Sequence, residues 1–233
     1  LQKADILFGN LEGPVSDRGQ PVGSIYSFRM APEVLPVLHQ AGFDVLSIAN
    51  NHIGDWGQEA VADTIVSLKE AGIVPVGGSP EVQIIKKNGV RFGFLAVNDV
   101  GAKSDSAWPE TIRQAAEKVD LLIVSYHWGE EYQTSPNERQ KMLGRLAIDN
   151  GAKIVVGHHP HVIQSVERHQ DGLIAYSLGN FIFDQSFSME TMTGLLLQVE
   201  IQDGIIKEIT TGEVKINECF QPQLTSPPLN NLY

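Results

Sequence analysis

The chain has 233 residues, of which 42% are hydrophobic and 19% are charged, so it is long enough to bury a substantial core in one or two domains. Its 17 basic and 28 acidic residues give a net charge of −11, which argues against broad binding to nucleic acid or to anionic lipid. The single cysteine, Cys219, excludes an internal disulfide framework and a cysteine-rich zinc finger.

Apolar runs and helical patterns alternate along the first two thirds of the chain. We predict strands at residues 4–8, 44–49, 73–77, 90–97, 121–126 and 154–156, and helices at residues 32–41, 57–71, 109–119 and 136–149. Strands that alternate with helices imply parallel crossovers, and parallel strands end at the same edge of a sheet.

Short polar motifs predict where some of these helices begin and end. The segment Ser135–Glu138, with proline at the first helical position, is typical of a capping box at the start of the last helix. The pair Asn150-Gly151 is typical of the end of the same helix. Asp55 followed by Gln58 predicts a looser cap for the helix at residues 57–71.

After residue 156 the pattern consists mostly of strands. We predict strands at residues 173–178, 193–201 and 205–216, a turn at residues 202–204, and an earlier hairpin turn at Asn88-Gly89. The polar, proline-bearing segment 219–233 is expected to add no strand. These patterns predict one domain over residues 1–218, a mixed β-sandwich with helices outside both sheets, followed by a C-terminal extension.

Histidines follow three of the predicted strands: His52, His127 and the group His158, His159 and His161. Ligands bind where the strands of an α/β sheet end, and neutral imidazoles gathered there are typical of a metal site. In extended backbone His159 and His161 would face the same side, and the proline between them favours that geometry. The alternatives are a surface histidine cluster and, for His127, a packed core histidine.

Two further residues carry polar groups suited to the same chemistry. Glu12 follows the first predicted strand and offers a carboxylate that two ions can share, and Asn51 offers an amide oxygen to a hard or borderline cation. Beside Asn51, His52 is placed to donate to a substrate oxygen or to protonate a leaving group. The alternatives are a solvated glycine-rich loop for Glu12 and an ordinary turn for Asn51.

Additional polar residues lie next to these motifs. Glu130 and Glu131 follow His127 and are candidates to orient a histidine, although adjacent carboxylates are also common where strands end. Asn180 lies in an apolar segment, and it either reaches the same crevice or forms the polar exit of a core strand.

Five motifs occur in an order that resembles the bacterial CapA family of capsule and poly-γ-glutamate synthesis proteins, itself similar to the calcineurin-like metallophosphatases. They are Gly9-Asn10-Leu11-Glu12, Ala49-Asn50-Asn51-His52, His127-Trp128-Gly129, Gly157-His158-His159-Pro160-His161 and Tyr176-Ser177-Leu178-Gly179-Asn180-Phe181. The resemblance implies an α/β fold, a metallophosphatase-like four-layer α/β/β/α sandwich of two mixed sheets, with a two-metal centre at the carboxyl edge of the strands. The first strand of that superfamily, which carries an aspartate ligand, is expected to be missing from this sequence.

The resemblance also implies roles for individual residues. The implied metal ligands are Asn51, His127, His159 and His161, with Glu12 as the bridging carboxylate and His52 as the catalytic histidine that meets the substrate oxygen. Further candidates to bind the metal or to orient its ligands are Asn10, His158, Glu130, Glu131 and Asn180. The implied cofactor is one or two divalent ions (Mn, Zn, Fe or Mg), and asparagine and glutamate in place of a Gly-Asp motif favour one tightly held ion.

We therefore expect a metal-dependent hydrolase-like protein of capsule or poly-γ-glutamate biosynthesis that acts on a phosphoester or a related bond. The alternatives are a non-catalytic accessory factor that binds polyanion in exopolymer synthesis or export, and a general phosphodiesterase. The expected partners are an anionic polymer or phosphoester substrate and the capsule-synthesis machinery, with no nucleic acid.

The expected location is bacterial and extracytoplasmic or membrane-associated, with a cytoplasmic location left open. No apolar run reaches the ~20 residues needed to cross a bilayer. Since the sequence begins at Leu1 rather than at methionine, we expect residues upstream of it, and membrane contact only through a segment outside these 233 residues.

Overall fold

The computed structural model describes residues 1–101 and 107–225 and the backbone of residues 229–230. Its described elements are β1 (Phe8–Asn10), α1 (Val34–Ala41), β2 (Val45–Ser47), α2 (Gly57–Glu70), β3 (Val74–Val76), β4 (Gln83–Lys87), β5 (Val90–Asn98), α3 (Trp108–Ala116), β6 (Leu121–His127), α4 (Glu138–Asp149), β7 (Ile154–His158), β8 (Val166–His169), β9 (Gly172–Ala175), β10 (Thr193–Gln202), β11 (Ile205–Ile216), β12 (Pro222–Leu224) and β13 (Leu229–Asn230). These strands form a six-stranded, a four-stranded and a three-stranded sheet.

The largest sheet has the strand order β4-β5-β6-β7-β9-β8. Strands β5, β6, β7 and β9 are parallel neighbours, whereas β4 and β8 pair antiparallel at the two edges. Every residue of β6 is buried, as expected for a central parallel strand that is covered on both faces. The register places His127, the last residue of β6, beside His158, the last residue of β7.

Three apolar cores separate four layers of secondary structure. Leu122 faces α3 and α4 and packs with Leu143, whereas the next residue, Ile123, faces the opposite core together with Val45 of β2. Leu46 then faces the core beneath α1 and α2. This alternation of neighbouring residues between two faces is the period of a strand, and it makes each sheet an inner layer. The predicted four-layer α/β/β/α sandwich is confirmed.

The second β layer differs from the single mixed sheet that the sequence predicted. It consists of the parallel sheet β1-β2-β3 and a separate antiparallel sheet in which β11 pairs with β10, β12 and β13. Both pack on the same core, to which β1 contributes Phe8 and β10 contributes Val199. Among the described residues no strand joins β1 to β10, so the layer is divided. That this sequence lacks the first strand of the metallophosphatase-like fold stays a prediction.

The capping box of α4 lies two residues beyond its predicted position. The Asn137 side chain accepts a hydrogen bond from the Gln140 backbone N–H, and the Gln140 side chain accepts one from the Asn137 N–H. The predicted box that begins at Ser135 is therefore wrong. Gln140 is buried and donates to Gln164 Oε1 at 2.8 Å, which anchors the third helical position at residue 140.

Of the other two predicted helix signals, one is wrong and one is confirmed. Helix α2 begins at Gly57 without a side-chain cap, because the Asp55 carboxylate hydrogen bonds elsewhere in the candidate site. Helix α4 ends at Asp149 with Asn150 as its C-terminal cap, as predicted. Gly151 follows with φ 105°, in the region of backbone conformation that glycine adopts without strain.

The two predicted hairpins are confirmed, and the C-terminal prediction is wrong. Asn88-Gly89 joins antiparallel β4 and β5 with φ values of 50° and 84°, and residues 202–204 join β10 and β11. Within the segment 219–233, Pro222–Leu224 pairs with β11, although no strand was expected there. Proline is tolerated because it is the first residue of an edge strand. A domain boundary at residue 218 stays a prediction.

Two strand limits differ from the prediction in a way that matters for the site. Strand β1 begins only at Phe8, because the Leu7 N–H donates to the Asp44 carboxylate at 2.8 Å instead of joining a ladder. Strand β7 continues to His158, two residues beyond its predicted end. His158 is therefore a strand residue, whereas His159 and His161 lie in the loop that follows.

Candidate metal centre

The loops that follow β1, β2 and β7 meet the end of β6 at the carboxyl edges of the parallel strands. The structure brings together the five ligands that the sequence predicted: Glu12, Asn51, His127, His159 and His161. In the described part of the chain, two groups have ligand atoms within 4.8 Å of one another: Glu12 with His127 and His159, and Glu131 with His159 and His161. The positions are shown, and metal binding by these residues stays a prediction.

Glu12 lies between two of the imidazoles. Its Oε1 atom is 3.5 Å from His161 Nε2 and 3.7 Å from His127 Nε2, and it has no hydrogen-bond partner among the described residues. Burial, with a smaller contribution from the negative charge of Glu131, raises the pKa of the Glu12 carboxyl group to about 8. A hydrogen bond from Asn10 Nδ2 to the other oxygen, at 3.3 Å, opposes that shift. A cation beside Oε1 would offset the cost of burying this charge.

His127 has a buried ring that contacts the Asn51 amide. Its Nε2 atom is 2.7 Å from Asn51 Oδ1, and its Nδ1 atom has no hydrogen-bond partner among the described residues. Burial, followed by the neighbouring rings of His159 and His158, holds the pKa of His127 well below its usual value. The ring is therefore neutral and keeps a lone pair for a cation. A satisfied core histidine would instead have partners at both ring nitrogens.

The residues His159 and His161 reach the cluster through a tight turn, which corrects the predicted extended backbone. Their φ values are 98° and 58°, in a region that residues other than glycine seldom adopt. The local preference set by Pro160 is overridden, because β7 ends at His158 and the chain turns there. The turn brings the ring centroids of His159 and His161 to 5.9 Å apart, and such strained backbone is often found at functional sites.

Burial also keeps these two imidazoles neutral. It lowers the pKa of His159 to about 4, and the neighbouring His161 acts in the same direction, while Glu131 opposes it. Burial lowers the pKa of His161 as well, against a hydrogen bond between its Nδ1 and Asn180 Oδ1 at 2.9 Å. Asn180 in turn donates to the Thr191 carbonyl at 2.9 Å, so it holds the His161 ring in place.

The four remaining candidates differ in their relation to the cluster. His158 ends β7 with its ring against Phe8, at 6.1 Å between centroids, and it belongs to neither group of described ligand atoms. Glu131 belongs to the second group, whereas the neighbouring Glu130 is exposed and makes no hydrogen bond or ion pair to a described residue. Asn10 donates to Glu12 and accepts from Asn50 Nδ2 at 3.4 Å.

The predicted catalytic histidine, His52, has a carboxylate partner that the sequence analysis did not assign to it. His52 Nδ1 lies 2.8 Å from Asp55 Oδ2, and buried Asp55 also accepts from the Phe28 N–H at 2.9 Å and from Ser24 Oγ at 3.1 Å. This contact places the proton on Nδ1 and leaves Nε2 for another partner. The His-x-x-Asp spacing was the available signal, and it was interpreted as a helix cap.

An aromatic pair covers the histidines on one side. The Phe28 ring packs on His52 with 4.0 Å between centroids, and the Phe183 ring packs on His161 at 5.0 Å. Phe28 and Phe183 meet edge to face at 5.6 Å. The loop after β1 and the loop after β9 therefore contact each other beside the cluster. Sequence reasoning missed both rings, because no local pattern distinguishes them from core phenylalanines.

The donor set fits a divalent cation. It combines neutral imidazoles, an amide oxygen and a carboxylate, which are ligands that Zn²⁺, Mn²⁺ and Fe²⁺ accept. Glu12 Oε1, His127 Nδ1 and His159 Nδ1 are buried polar atoms without partners among the described residues, and such atoms in a folded protein call for an explanation. The fold and this cluster define a four-layer α/β protein with a candidate divalent-metal centre where its parallel strands end.

Comparison with known proteins identifies the family. The chain belongs to the family described as bacterial capsule synthesis protein PGA_cap, whose model matches residues 1–185. The membership that the five motifs implied is therefore confirmed, and with it a family of capsule and poly-γ-glutamate biosynthesis.

Individual relatives support the same assignment. "Capsule biosynthesis protein CapA" of Bacillus anthracis is 34% identical to this chain, over 97% of this chain and 62% of that protein. "Probable polyglutamine synthesis accessory protein" of Mycobacterium tuberculosis is 28% identical, over 77% of this chain and 56% of that protein. The chain thus spans less than two thirds of the length of either relative.

A solved structure supports the fold alone. The crystal structure of a hypothetical protein from Thermus thermophilus superposes with a TM-score of 0.54 at 17% identity, over 98% of this chain and 88% of that chain. Among the described residues, no helix combines the length and the apolar composition that crossing a membrane requires.

Proposed function

We propose that this protein is a metal-dependent hydrolase of capsule or poly-γ-glutamate biosynthesis, acting on a phosphoester or a related bond of an anionic substrate. The observation that carries the proposal is the unpartnered Glu12 Oε1 atom, held between His127 and His161 and facing neutral imidazoles. Such an arrangement is costly for the protein alone and favourable around a cation.

The residues of the cluster divide into ligands and a proton donor. Asn51, His127 and His159 with Glu12 would hold one ion. A bound divalent ion supplies Lewis acidity and lowers the pKa of a water molecule toward neutrality. His52 lies outside both groups of ligand atoms, with its Nδ1 held by Asp55, so its Nε2 atom is the one that exchanges a proton with the leaving oxygen.

The metal centre is tested by binding. Purified wild-type protein is titrated with Mn²⁺ beside His127→Ala and beside His39→Ala, a matched histidine deletion on the exposed last turn of α1. We expect His127→Ala to weaken the tightest site by at least ~100-fold, the upper range for loss of a metal-orienting contact, and His39→Ala to leave it unchanged. Equal affinities in all three proteins would contradict the proposed centre.

The hydrolase activity is tested by turnover. The Mn²⁺-loaded protein is assayed on generic phosphoesters and on γ-linked glutamate oligomers, with His52→Ala in parallel. Metal-dependent turnover that the substitution abolishes supports an enzyme. Turnover on phosphoesters alone would restrict the function to a general phosphodiesterase.

A second candidate function is a non-catalytic accessory factor that binds polyanion during exopolymer synthesis or export. It is favoured by the name of the Mycobacterium tuberculosis relative, which calls that protein an accessory protein of polyglutamine synthesis. Metal-dependent binding of glutamate oligomers without turnover would support this function instead. Either function is consistent with an extracytoplasmic location beside the capsule-synthesis machinery, which we propose on the family alone.

A further inference from the structure

The loop after β1 folds back over the start of α2 and carries Arg29. The Phe28 N–H donates to the Asp55 carboxylate at 2.9 Å. Two residues later, the Met30 N–H donates to the Pro14 carbonyl at 2.8 Å, which closes the base of the loop. Arg29 lies between these two attachments, so the fold fixes the position of its backbone.

The side chain of Arg29 lies over the indole ring of Trp56. Its guanidinium carbon is 3.6 Å from the ring centroid, well within the ~6 Å over which an aromatic face attracts a cation. An arginine held over an aromatic ring keeps the N–H donors of its planar group. The indole therefore orients the guanidinium group and leaves its donors for another partner.

No described residue supplies that partner. Five of the seven arginines form an ion pair with a carboxylate: Arg18, Arg91, Arg113, Arg139 and Arg145. Arg29 and Arg168 are exposed, and neither makes an ion pair or a side-chain hydrogen bond to a described residue. Arg168 lies on edge strand β8 opposite Leu173, which pairs with Ile154 at the start of β7. It is therefore remote from the candidate metal centre, at the other end of the parallel strands.

Arg29, by contrast, is held beside the proposed proton donor. Its neighbour Phe28 packs on the His52 ring with 4.0 Å between centroids. Trp56 follows Asp55, whose Oδ2 atom is 2.8 Å from His52 Nδ1. The guanidinium group and the indole beneath it are thus each one residue along the chain from a group that holds His52.

An anionic substrate meets negative charge in this cleft. The candidate site contains the carboxyl groups of Glu12, Glu131 and Asp55, and the whole chain has a net charge of −11. Because like charges repel, a positive side chain beside the metal centre favours the binding of an anion. Arg29 supplies such a charge, and its planar group of donors matches the paired oxygens of a carboxylate or a phosphate.

We infer that Arg29 is a substrate-binding residue, which pairs with an oxyanion of the substrate, a carboxylate or a phosphate group, next to the bond at which His52 exchanges a proton. Trp56 holds the guanidinium group in place before the substrate binds, so less conformational freedom is lost on binding. The inference rests on the proposed function, because His52 and the metal centre define where the substrate reacts.

The experiment compares Arg29→Gln with Arg168→Gln, which removes the same charge from the other unpaired arginine. The Mn²⁺-loaded proteins are titrated by calorimetry with inorganic phosphate, with a γ-linked glutamate dimer, and with that dimer after its carboxylates are converted to amides. We expect Arg29→Gln to bind at least one of the two anions roughly 10–100-fold more weakly than the wild type, the range for lost hydrogen bonds between charged groups. Arg168→Gln should match the wild type, and the amidated dimer should not distinguish the three proteins.

Further measurements separate a binding role from a structural one. Arg29→Lys keeps a positive charge over Trp56 but loses the planar group, so its affinity should lie between those of the wild type and Arg29→Gln. Elemental analysis and thermal unfolding of each sample should show an unchanged Mn²⁺ content and an unchanged fold. The anion whose affinity falls identifies the group that Arg29 binds, a phosphate or a carboxylate.

Three results would overturn the inference and leave the metal centre intact. The first is equal affinity of the wild type and Arg29→Gln for both anions. The second is an equal loss in Arg29→Gln and Arg168→Gln, since net charge would then explain it. The third is a wild type that holds Mn²⁺ but binds neither anion. A wild type without bound Mn²⁺ would instead contradict the proposed metal centre, whichever affinities the anions show.

Discussion

Two kinds of histidine lie side by side in this cleft, and their nitrogen partners differ. His127 and His159 each have an Nδ1 atom without a hydrogen-bond partner among the described residues. His52, by contrast, has its Nδ1 atom 2.8 Å from the buried carboxylate of Asp55. The described part of the protein therefore supplies no partner for these two nitrogen atoms. The orientation of His52 is already set by the protein itself.

The carboxylates of Asp55 and Glu12 also differ in the hydrogen-bond partners that the protein gives them. Asp55 has contacts at 2.8–3.1 Å with the His52 ring, the Phe28 N–H and the Ser24 hydroxyl, whereas Glu12 Oε1 has no hydrogen-bond partner among the described residues. Burial, with a smaller contribution from the charge of Glu131, raises the pKa of Glu12 to about 8, although Asn10 donates to its other oxygen. The Glu12 carboxylate thus has an oxygen without a partner among the described residues, whereas the Asp55 carboxylate is fully paired. In the proposed function this difference separates metal binding at Glu12 from proton transfer at His52.

The largest effect should come from removing the proton donor while leaving the ligands in place. We expect His52→Ala to lower kcat on the order of 10²–10⁴-fold, the range typical of a lost general acid or base, with the amount of bound Mn²⁺ unchanged. Single-turnover kinetics and elemental analysis on the same sample measure both quantities. A parallel loss of metal and activity would make His52 a ligand and abolish the distinction between the two kinds of histidine.

A smaller effect should follow from weakening the contact between Asp55 and the His52 ring. Asp55→Asn keeps the size of the side chain but removes the charge that fixes the His52 ring, and we expect kcat to fall about 10–100-fold. KM and Mn²⁺ affinity should stay near the wild-type values, because Asp55 belongs to neither ligand group. Ser24→Ala is the matched control, since it removes another donor to the same carboxylate without touching the ring. An equal loss in both variants would indicate a structural role for Asp55.

Much of the ligand cluster could be predicted from the sequence because its position follows from the ends of strands. Buried apolar runs predicted β6 and β7, and parallel strands must end at one edge, so His127 and the residues after β7 were expected to meet. Glu12 and Asn51 follow the same rule on the three-stranded sheet. The predicted ends of the parallel strands therefore indicated where the candidate ligands would lie.

The contacts that depend on loop conformation could not be predicted. The Asp55 carboxylate is held by the loop that contains Ser24 and Phe28, which lies 27 residues or more away in sequence, so a local rule interpreted Asp55 as a helix cap. The turn at His159 contradicts the extended backbone that Pro160 favours, because tertiary packing outweighs a local preference.

The smallest effect concerns stability without metal, and its sign follows from the raised pKa of Glu12. In the folded protein this pKa is about 8, against an ordinary value of 4.5. The folded state therefore holds the Glu12 proton more tightly than the unfolded state does. The stability gained from that proton is fully present below about pH 4.5, and it is lost as the pH rises through about 8.

Glu12→Gln removes this dependence, because its amide is neutral at every pH. We expect the metal-free variant to unfold at the same temperature as the wild type at pH 5, and to be more stable at pH 9 by on the order of 2 kcal/mol, or about 4–8 °C in Tm. The lowered histidine pKa values act in the opposite direction below pH 6.5, but both proteins contain these residues.

With saturating Mn²⁺ at pH 9 the order of the two stabilities should reverse, since only the wild type has the Glu12 charge to bind the ion. Thermal unfolding followed by circular dichroism compares the two proteins under these three conditions. A difference between the metal-free proteins that is the same at pH 5 and pH 9 would show that the Glu12 charge is not the strained element of the cluster.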